Sequence, residues 1–404
     1  MPPEVTLADI RVADALVRQV ARRTPLLPAH WVEPLVGGPV LLKAENLQRA
    51  GSFKLRGAYV RLSRLTPAER EAGVVAASAG NHAQGVALAA AELGIGATVF
   101  MPRTASLPKV VATRAYGADV HLVGESVEDA LAAAAQFVDD TGATLIHPFD
   151  HGDIVAGQGS VGLEIIEQLP EVATVLVPAG GGGLLAGVAT AIKGMRPQVR
   201  VVGVQAANCT TLVESLARGV PVAARAGSAT MADGIAVSLP GAVPVAVAAP
   251  LVDDVVTVTE EQISDGLLKT LERAKLLAEP AGVVGVSALL ADPTAYEPPV
   301  VIVLSGGNVD PVLLNRIVRH GLAVAGRHVA LTVRLPDQPG ALAGYLGALA
   351  DTEVNVLDVS HFRSDPRLAV GEVEIMVLLE TRGPDHRDAV IAALRTAGYD
   401  ISLD

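Results

Sequence analysis

From residue 40 to about residue 320, short apolar runs rich in β-branched residues alternate with alanine-rich stretches of helical period. The runs are PVLLKAE from Pro39, GVVAASA from Gly73, ATVFMP from Ala97, DVHLV from Asp119 and ATLIHP from Ala143. TVLVPA from Thr174, RVVGVQ from Arg200, VVTVT from Val255 and PVVIVLS from Pro299 complete the set. A strand that is apolar at successive positions, not at every second one, is buried on both faces, which is the signature of a parallel sheet covered by helices. The expectation is an α/β fold of open, twisted parallel sheets with helices on both faces. In such sheets ligands sit beyond the carboxyl ends of the strands.

The pattern changes near residue 326. Beyond it the chain reads strand VALTVRL, turn PDQPG, helix ALAGYLGALAD, strand EVNVLDVSH, strand GEVEIMVLLE, helix PDHRDAVIAALRTAG and strand YDISL. This βαββαβ order predicts a separate, small ferredoxin-like domain. Two domains are therefore expected, 1–326 and 327–404. Within the first, a smaller α/β subdomain covers roughly 50–150.

Composition narrows the partners. The net charge is −12, aromatic residues are 3% of the chain, and no basic tract is present, which argues against a nucleic-acid surface. No apolar run is long enough to span a membrane, and the amino terminus lacks a cationic start followed by an apolar stretch, so no membrane partner and no signal peptide are expected. Cys209 is the only cysteine, which fits a reducing, cytoplasmic setting. Small molecules are the expected ligands.

Lysine usage points to chemistry. Of 31 lysines and arginines only six are lysine, at 43, 54, 109, 193, 269 and 275, and one of them stands in the strand-to-helix turn GSFKLRGA. A guanidinium stays charged, whereas a desolvated ammonium at the positive end of a helix loses its proton and becomes a nucleophile. Three more turns follow strands. SAGNHAQG, Ser78 to Gly85, offers the amide of Asn81 and a helix N-terminus suited to an anion. PAGGGGLLAG exposes the backbone N–H groups of Gly180, Gly181, Gly182 and Gly183 to a phosphate, although it matches neither GxGxxG nor a Walker loop. VIVLSGGNVD places Ser305 at a strand end where its hydroxyl could face a ring. Taken singly, these turns also read as a capped helix with a solvated lysine, an Asn-capped helix, a flexible linker and an N-cap. Together they ask for one ligand with a phosphate, a group for lysine to attack and a polar ring atom.

Through SFKLRGA, SAGNHAQG, HPFDHGDIVAGQGSVGLEI, PAGGGGL and SGGN, in that order over roughly residues 8 to 320, the chain resembles the serine/threonine dehydratases, the fold type II family of pyridoxal 5'-phosphate enzymes with a tryptophan synthase β-like architecture. The resemblance implies that Lys54 carries the cofactor and removes the substrate Cα proton. It implies that Phe53 flanks the pyridine ring, Asn81 bonds its 3-oxygen, Gly180 to Gly183 with Leu184 hold the phosphate, and Ser305 faces the ring nitrogen. Ser78, Ala79, Gly80, Asn81 and His82 would receive the substrate carboxylate, with Gly234 and Glu279 lining the same site.

A serine hydroxyl cannot keep the ring nitrogen protonated, so charge must leave promptly, as it does when a β-hydroxyl is eliminated. The implied reaction is dehydration and deamination of L-threonine to 2-oxobutanoate and ammonia, with L-serine giving pyruvate. A serine-preferring dehydratase and a racemase are the alternatives within the family; a non-catalytic amino-acid sensor is the alternative outside it. Related racemases carry a second proton-transferring serine where this chain has Ala79. Some relatives bind a cation through a carboxylate where this chain has Gln205, so no tight metal site is expected.

The carboxyl-terminal domain resembles an ACT module. By that resemblance Asp337, Pro339, Gly340 and Asn355 would hold an amino-acid effector between paired copies, which requires a homo-oligomer, a dimer or a tetramer. A role in isoleucine biosynthesis and one in threonine catabolism both fit.

Overall fold

The structure, a computed structural model, describes residues 5–223, 229–363 and 368–403 of the 404-residue chain. It divides into two units, Met1–Leu313 and Leu314–Asp404. The division falls within the helix Pro311–Val324, not at residue 326, so most of that helix goes with the second unit.

The first unit holds two sheets. Its strands are β1 (Leu26–Pro28), β2 (Val40–Ala44), β3 (Val74–Ala77), β4 (Ala97–Met101), β5 (Asp119–Leu122), β6 (Thr144–Leu145), β7 (Thr174–Pro178), β8 (Arg200–Ala206), β9 (Asp254–Val258) and β10 (Val300–Leu304). One sheet has the order β1-β2-β10-β7-β8-β9 and the other β5-β4-β3-β6. Every neighbouring pair is parallel except β1 with β2, where Leu26 lies opposite Lys43 in antiparallel register. All nine apolar runs form strands. β1 is the addition, a three-residue edge strand ending in proline and too short to show a period.

The central strands are apolar on both faces because both faces are covered. Val175, Leu176 and Val177 of β7 and Val300, Val301 and Val303 of β10 are fully buried. The helices Gly152–Gln168 and Gly183–Met195 pack so closely that a side chain at Gly187 would collide with the backbone of Val155 and Gly159. Small residues on the helices are the means of that approach.

A buried ionic cluster underlies the two sheets. Arg56, on the helix Lys54–Ser63, is fully buried and donates to both carboxylate oxygens of Glu45 at 2.8 Å. It also donates to Glu164 at 2.7 and 3.1 Å and to Ser160 at 3.0 Å. Lys43 of β2, equally buried, donates to Glu164 at 2.5 Å, to the Thr24 carbonyl at 2.7 Å and to Gln168 at 2.9 Å. Two cations face two carboxylates, so the buried charges balance, as burial requires.

The second unit is a four-stranded antiparallel sheet, β11 (His328–Pro336), β12 (Asn355–Phe362), β13 (Glu372–Glu380) and β14 (Ile401–Leu403), in the order β12-β13-β11-β14. The helices Ala341–Ala350 and Pro384–Thr396 complete the βαββαβ order. Val329, Leu331, Val333 and Leu335 alternate inward along β11, and Val373, Ile375, Val377 and Leu379 along β13, to form the core with Tyr345, Leu349 and Leu394.

Candidate active site

The four turns do meet, because each follows a parallel strand at its carboxyl end. The lysine turn is fastened to β10: Ser52 bridges Gly306, and the Phe53 N–H donates to the Ser305 carbonyl at 3.2 Å. Gly51 makes the turn possible with a φ of 70°, in the region that favours glycine. The helix then begins at Lys54 itself. The Lys54 Nζ donates to the Pro148 carbonyl at 2.9 Å and lies 5.2 Å from the centre of the Phe53 ring. Desolvation lowers its pKa to about 8 against the opposing pull of Glu279. An amine held toward neutrality is the nucleophile that the chemistry needs.

The SAGNH turn follows β3. Ser78 accepts the Gly80 N–H at 3.1 Å, and the helix Asn81–Leu93 starts immediately after, with Ala79 between. Asn81 donates to Glu279 at 2.5 Å. Glu279 is buried, and desolvation followed by the nearby Asp233 raises its carboxyl to about 7. Gly234 lies beside it: a side chain there would meet Ala281 at 3.0 Å and Glu279 at 3.9 Å. His82 behaves differently. Its ring is buried and its Nε2 lies 2.7 Å from the Ile146 carbonyl; burial, then Lys54, lowers its pKa to about 3. What His82 can offer an anion at this turn is therefore its backbone.

The glycine turn joins β7 to the helix Gly183–Met195. A side chain on Gly180 would meet the Ile235 backbone at 2.9 Å, one on Gly181 would collide with the Phe149 ring, and Gly182 has a φ of 94°. Only glycine fits, and the result is bare N–H groups at a helix N-terminus with Leu184 buried behind. Ser305, 4% exposed, ends β10. The Ser52 hydroxyl is buried without a hydrogen-bond partner among the described residues, beside the bridge to Gly306. A lysine whose pKa is lowered to about 8, a glycine cradle and an unengaged hydroxyl suit a phosphorylated aldehyde such as pyridoxal phosphate.

Several participants escaped the sequence reading. Asn308 ends the SGGN motif and donates to both the Ala50 carbonyl and Asn81. Lys109 pairs with Asp233 at 3.1 Å, and a Gly80 side chain would lie 3.6 Å from its Nζ. The scarcity of lysine was a signal for Lys109 too; Pro148 and Phe149 lie in the HPFDHGDIVAGQ motif, to which no role had been given. Gln205, fully buried, accepts the Leu212 N–H at 2.9 Å and so holds the following helix.

The effector positions do not come together within one copy. Asp337 follows the end of β11, where it pairs with Arg363 at 3.3 Å, and Gly340 starts the helix Ala341–Ala350, with Pro339 exposed between them. Asn355 instead lies opposite Glu380, which is opposite His328 at the other end of β11. The nine residues of β11 separate them by about 30 Å.

Comparison with known proteins follows the same division. Residues 17–306 match the family described as "Pyridoxal-phosphate dependent enzyme", and residues 329–398 match the ACT domain. The chain is 45% identical over 399 residues to the L-threonine ammonia-lyase of Thermotoga maritima, covering 99% of both chains. It is similar in structure to the threonine deaminase of T.th., with a TM-score of 0.72 and 38% identity over 76% of this chain and 99% of that one. Maize serine racemase is also similar, with a TM-score of 0.74 and 34% identity over 80% and 99%. On that match and on the long identity with its relatives, the chain belongs to the pyridoxal-phosphate dependent enzyme family and carries an ACT domain after the unit that matches it.

Proposed function

We propose that the protein is an L-threonine ammonia-lyase, converting L-threonine to 2-oxobutanoate and ammonia, with L-serine as a second, slower substrate. The observation that carries this reading is the buried Lys54 amine, its pKa lowered to about 8, donating to the Pro148 carbonyl from a turn that is fastened to Ser305 and Gly306. Bound pyridoxal phosphate supplies an electron sink for the substrate Cα. Lys54 would hold the cofactor and take the Cα proton; Gly180 to Gly183 with Leu184 would hold its phosphate, Phe53 would flank its ring, and Ser305 would offer its ring nitrogen a neutral hydroxyl. The N–H groups around Ser78 to His82 bind the substrate carboxylate, with Gly234 and Glu279 on the opposite wall. The Cα proton and the β-hydroxyl would leave together as one water, and the enamine left behind would take up a water to give the oxo acid and ammonia.

Ala79 separates this reading from racemisation, since a methyl group cannot deliver a proton to the second face. The long identity with an L-threonine ammonia-lyase supports the same choice. No helix among the described residues is long and apolar enough to cross a membrane. The reading includes a cytoplasmic homo-oligomer, a dimer or a tetramer. In it, ACT copies pair so that Asp337, Pro339 and Gly340 of one module approach Asn355 of another around an amino-acid effector.

The test is the purified protein supplied with pyridoxal phosphate. It should be yellow, release ammonia and 2-oxobutanoate from L-threonine, and leave the configuration of recovered L-serine unchanged. Lys54→Ala should lose the colour and at least about a thousandfold in turnover. Near-parental ammonia release by that variant, or accumulation of D-serine, would sink the assignment.

A further inference from the structure

Asn308 stands at the crossing of three chain segments. Its side-chain nitrogen donates to the backbone carbonyl of Ala50 at 2.7 Å and to Oδ1 of Asn81 at 2.8 Å. A backbone carbonyl can only accept, so the group that Asn308 turns toward Ala50 must be its NH2. The same NH2 faces Asn81, which forces the oxygen of Asn81 to that side. The NH2 of Asn81 is then turned away, where one N–H meets Oε1 of Glu279 at 2.5 Å. Its second N–H has no assigned acceptor among the described residues. That nitrogen lies above the end of β10, 3.1 Å from where a side chain on Gly306 would begin, next to Ser305.

We infer that Asn308 is a positioning residue that sets the amide of Asn81 with its N–H side toward the cofactor ring. The inference rests on Asn81 meeting the ring oxygen, as the proposed function has it. An asparagine amide is nearly symmetric in shape, and its two orientations differ only in which end donates. Without Asn308, Asn81 could present its oxygen to the ring oxygen, setting acceptor against acceptor. Asn308 removes that alternative by carrying the polarity of one backbone carbonyl through two amides to the ring. Gly51 belongs to the device: a side chain there would collide with the Asn308 carboxamide, so the left-handed turn also leaves the space that Asn308 fills.

The experiment uses the full chain, stripped of cofactor and titrated with pyridoxal phosphate, for Asn308→Ala, Asn308→Asp, Asn81→Ala and the double variant Asn81→Ala/Asn308→Ala. The readouts are the dissociation constant of the cofactor, the position of its visible band and the melting temperature of the cofactor-free protein. Asn308→Ala should raise the dissociation constant roughly five- to tenfold and shift the band, as expected for one mis-set hydrogen bond. Asn308→Asp, equal in shape but lacking the donor, should do at least as much, and it decides the matter if the alanine variant does not fold. Because Asn308 acts through Asn81, adding Asn308→Ala to Asn81→Ala should change affinity and band by less than about twofold. Fully additive effects, or a lower melting temperature with an unmoved band, would show Asn308 to be structural only. An unmoved band and affinity in Asn81→Ala would overturn the contact of Asn81 with the ring, and this inference with it.

Discussion

Glu279 shows how one residue records its surroundings. Burial and the proximity of Asp233 raise its carboxyl from about 4.5 to about 7, more than Lys109, Asn81 and Lys54 lower it. An acid whose folded pKa lies above its unfolded one holds its proton more tightly in the folded state, so folding loses stability as pH climbs between those values. The loss is absent below about 4.5, complete above about 7, and at most about 3 kcal/mol in the cofactor-free protein. Glu279→Gln should remove it. The melting-temperature advantage of the variant should therefore grow from pH 4.5 to 7 and level off above. An advantage of equal size at pH 5 and pH 8 would show that Glu279 titrates normally. Lys54 was legible at this scale because lysine is rare and its turn is unusual. Asn308 was not, since its partner Asn81 lies 227 positions away and no local pattern links two amides.

Elements were more legible than side chains. Apolar runs revealed nine of ten strands in the first unit: central strands such as β3, β7 and β10 are buried at every residue, whereas β5 and β9, at sheet edges, are largely exposed or half-buried and were betrayed by their β-branched residues and spacing instead. The ionic cluster beneath the helix Lys54–Ser63 left none: Lys43, Glu45, Arg56 and Glu164 look like ordinary charged residues until the fold closes over them. Arg56 ties the helix that presents Lys54 to Glu45, just past β2, and to the helix Gly152–Gln168. Removing it strands two carboxylates against one lysine. Arg56→Ala should therefore cost about 3–5 kcal/mol in urea unfolding. Arg56→Lys should recover little, since one ammonium cannot reproduce the paired bonds to Glu45 and Glu164. Arg56→Ala with parental stability would mean that the cluster contributes nothing to holding the helix.

At the scale of the whole molecule, the ACT unit poses the regulatory question. Because Asp337 and Gly340 lie at one end of β11 and Asn355 at the other, an effector that touches both needs a second copy. Threonine saturation should shift with isoleucine or valine, by about 5–150-fold in affinity if coupling is of ordinary size. A chain ending at residue 326 should lose both that response and the native oligomeric state. Indifference of the full chain to both amino acids, together with an unchanged truncated enzyme, would leave the module without a regulatory role.

The sheet order carries one more consequence. β10 is the last strand of the first unit to be made, yet it lies between β2 and β7, in the middle of its sheet. Until residues 300–304 leave the ribosome, β2 and β7 have no common neighbour, and a gap stands where the centre of the sheet should be. Ser305, Gly306 and Asn308 arrive with that strand and only then fasten the lysine turn. A chain interrupted after β7 and before residue 300 therefore exposes the edges of both β2 and β7, and it lacks the strand that fastens the lysine turn.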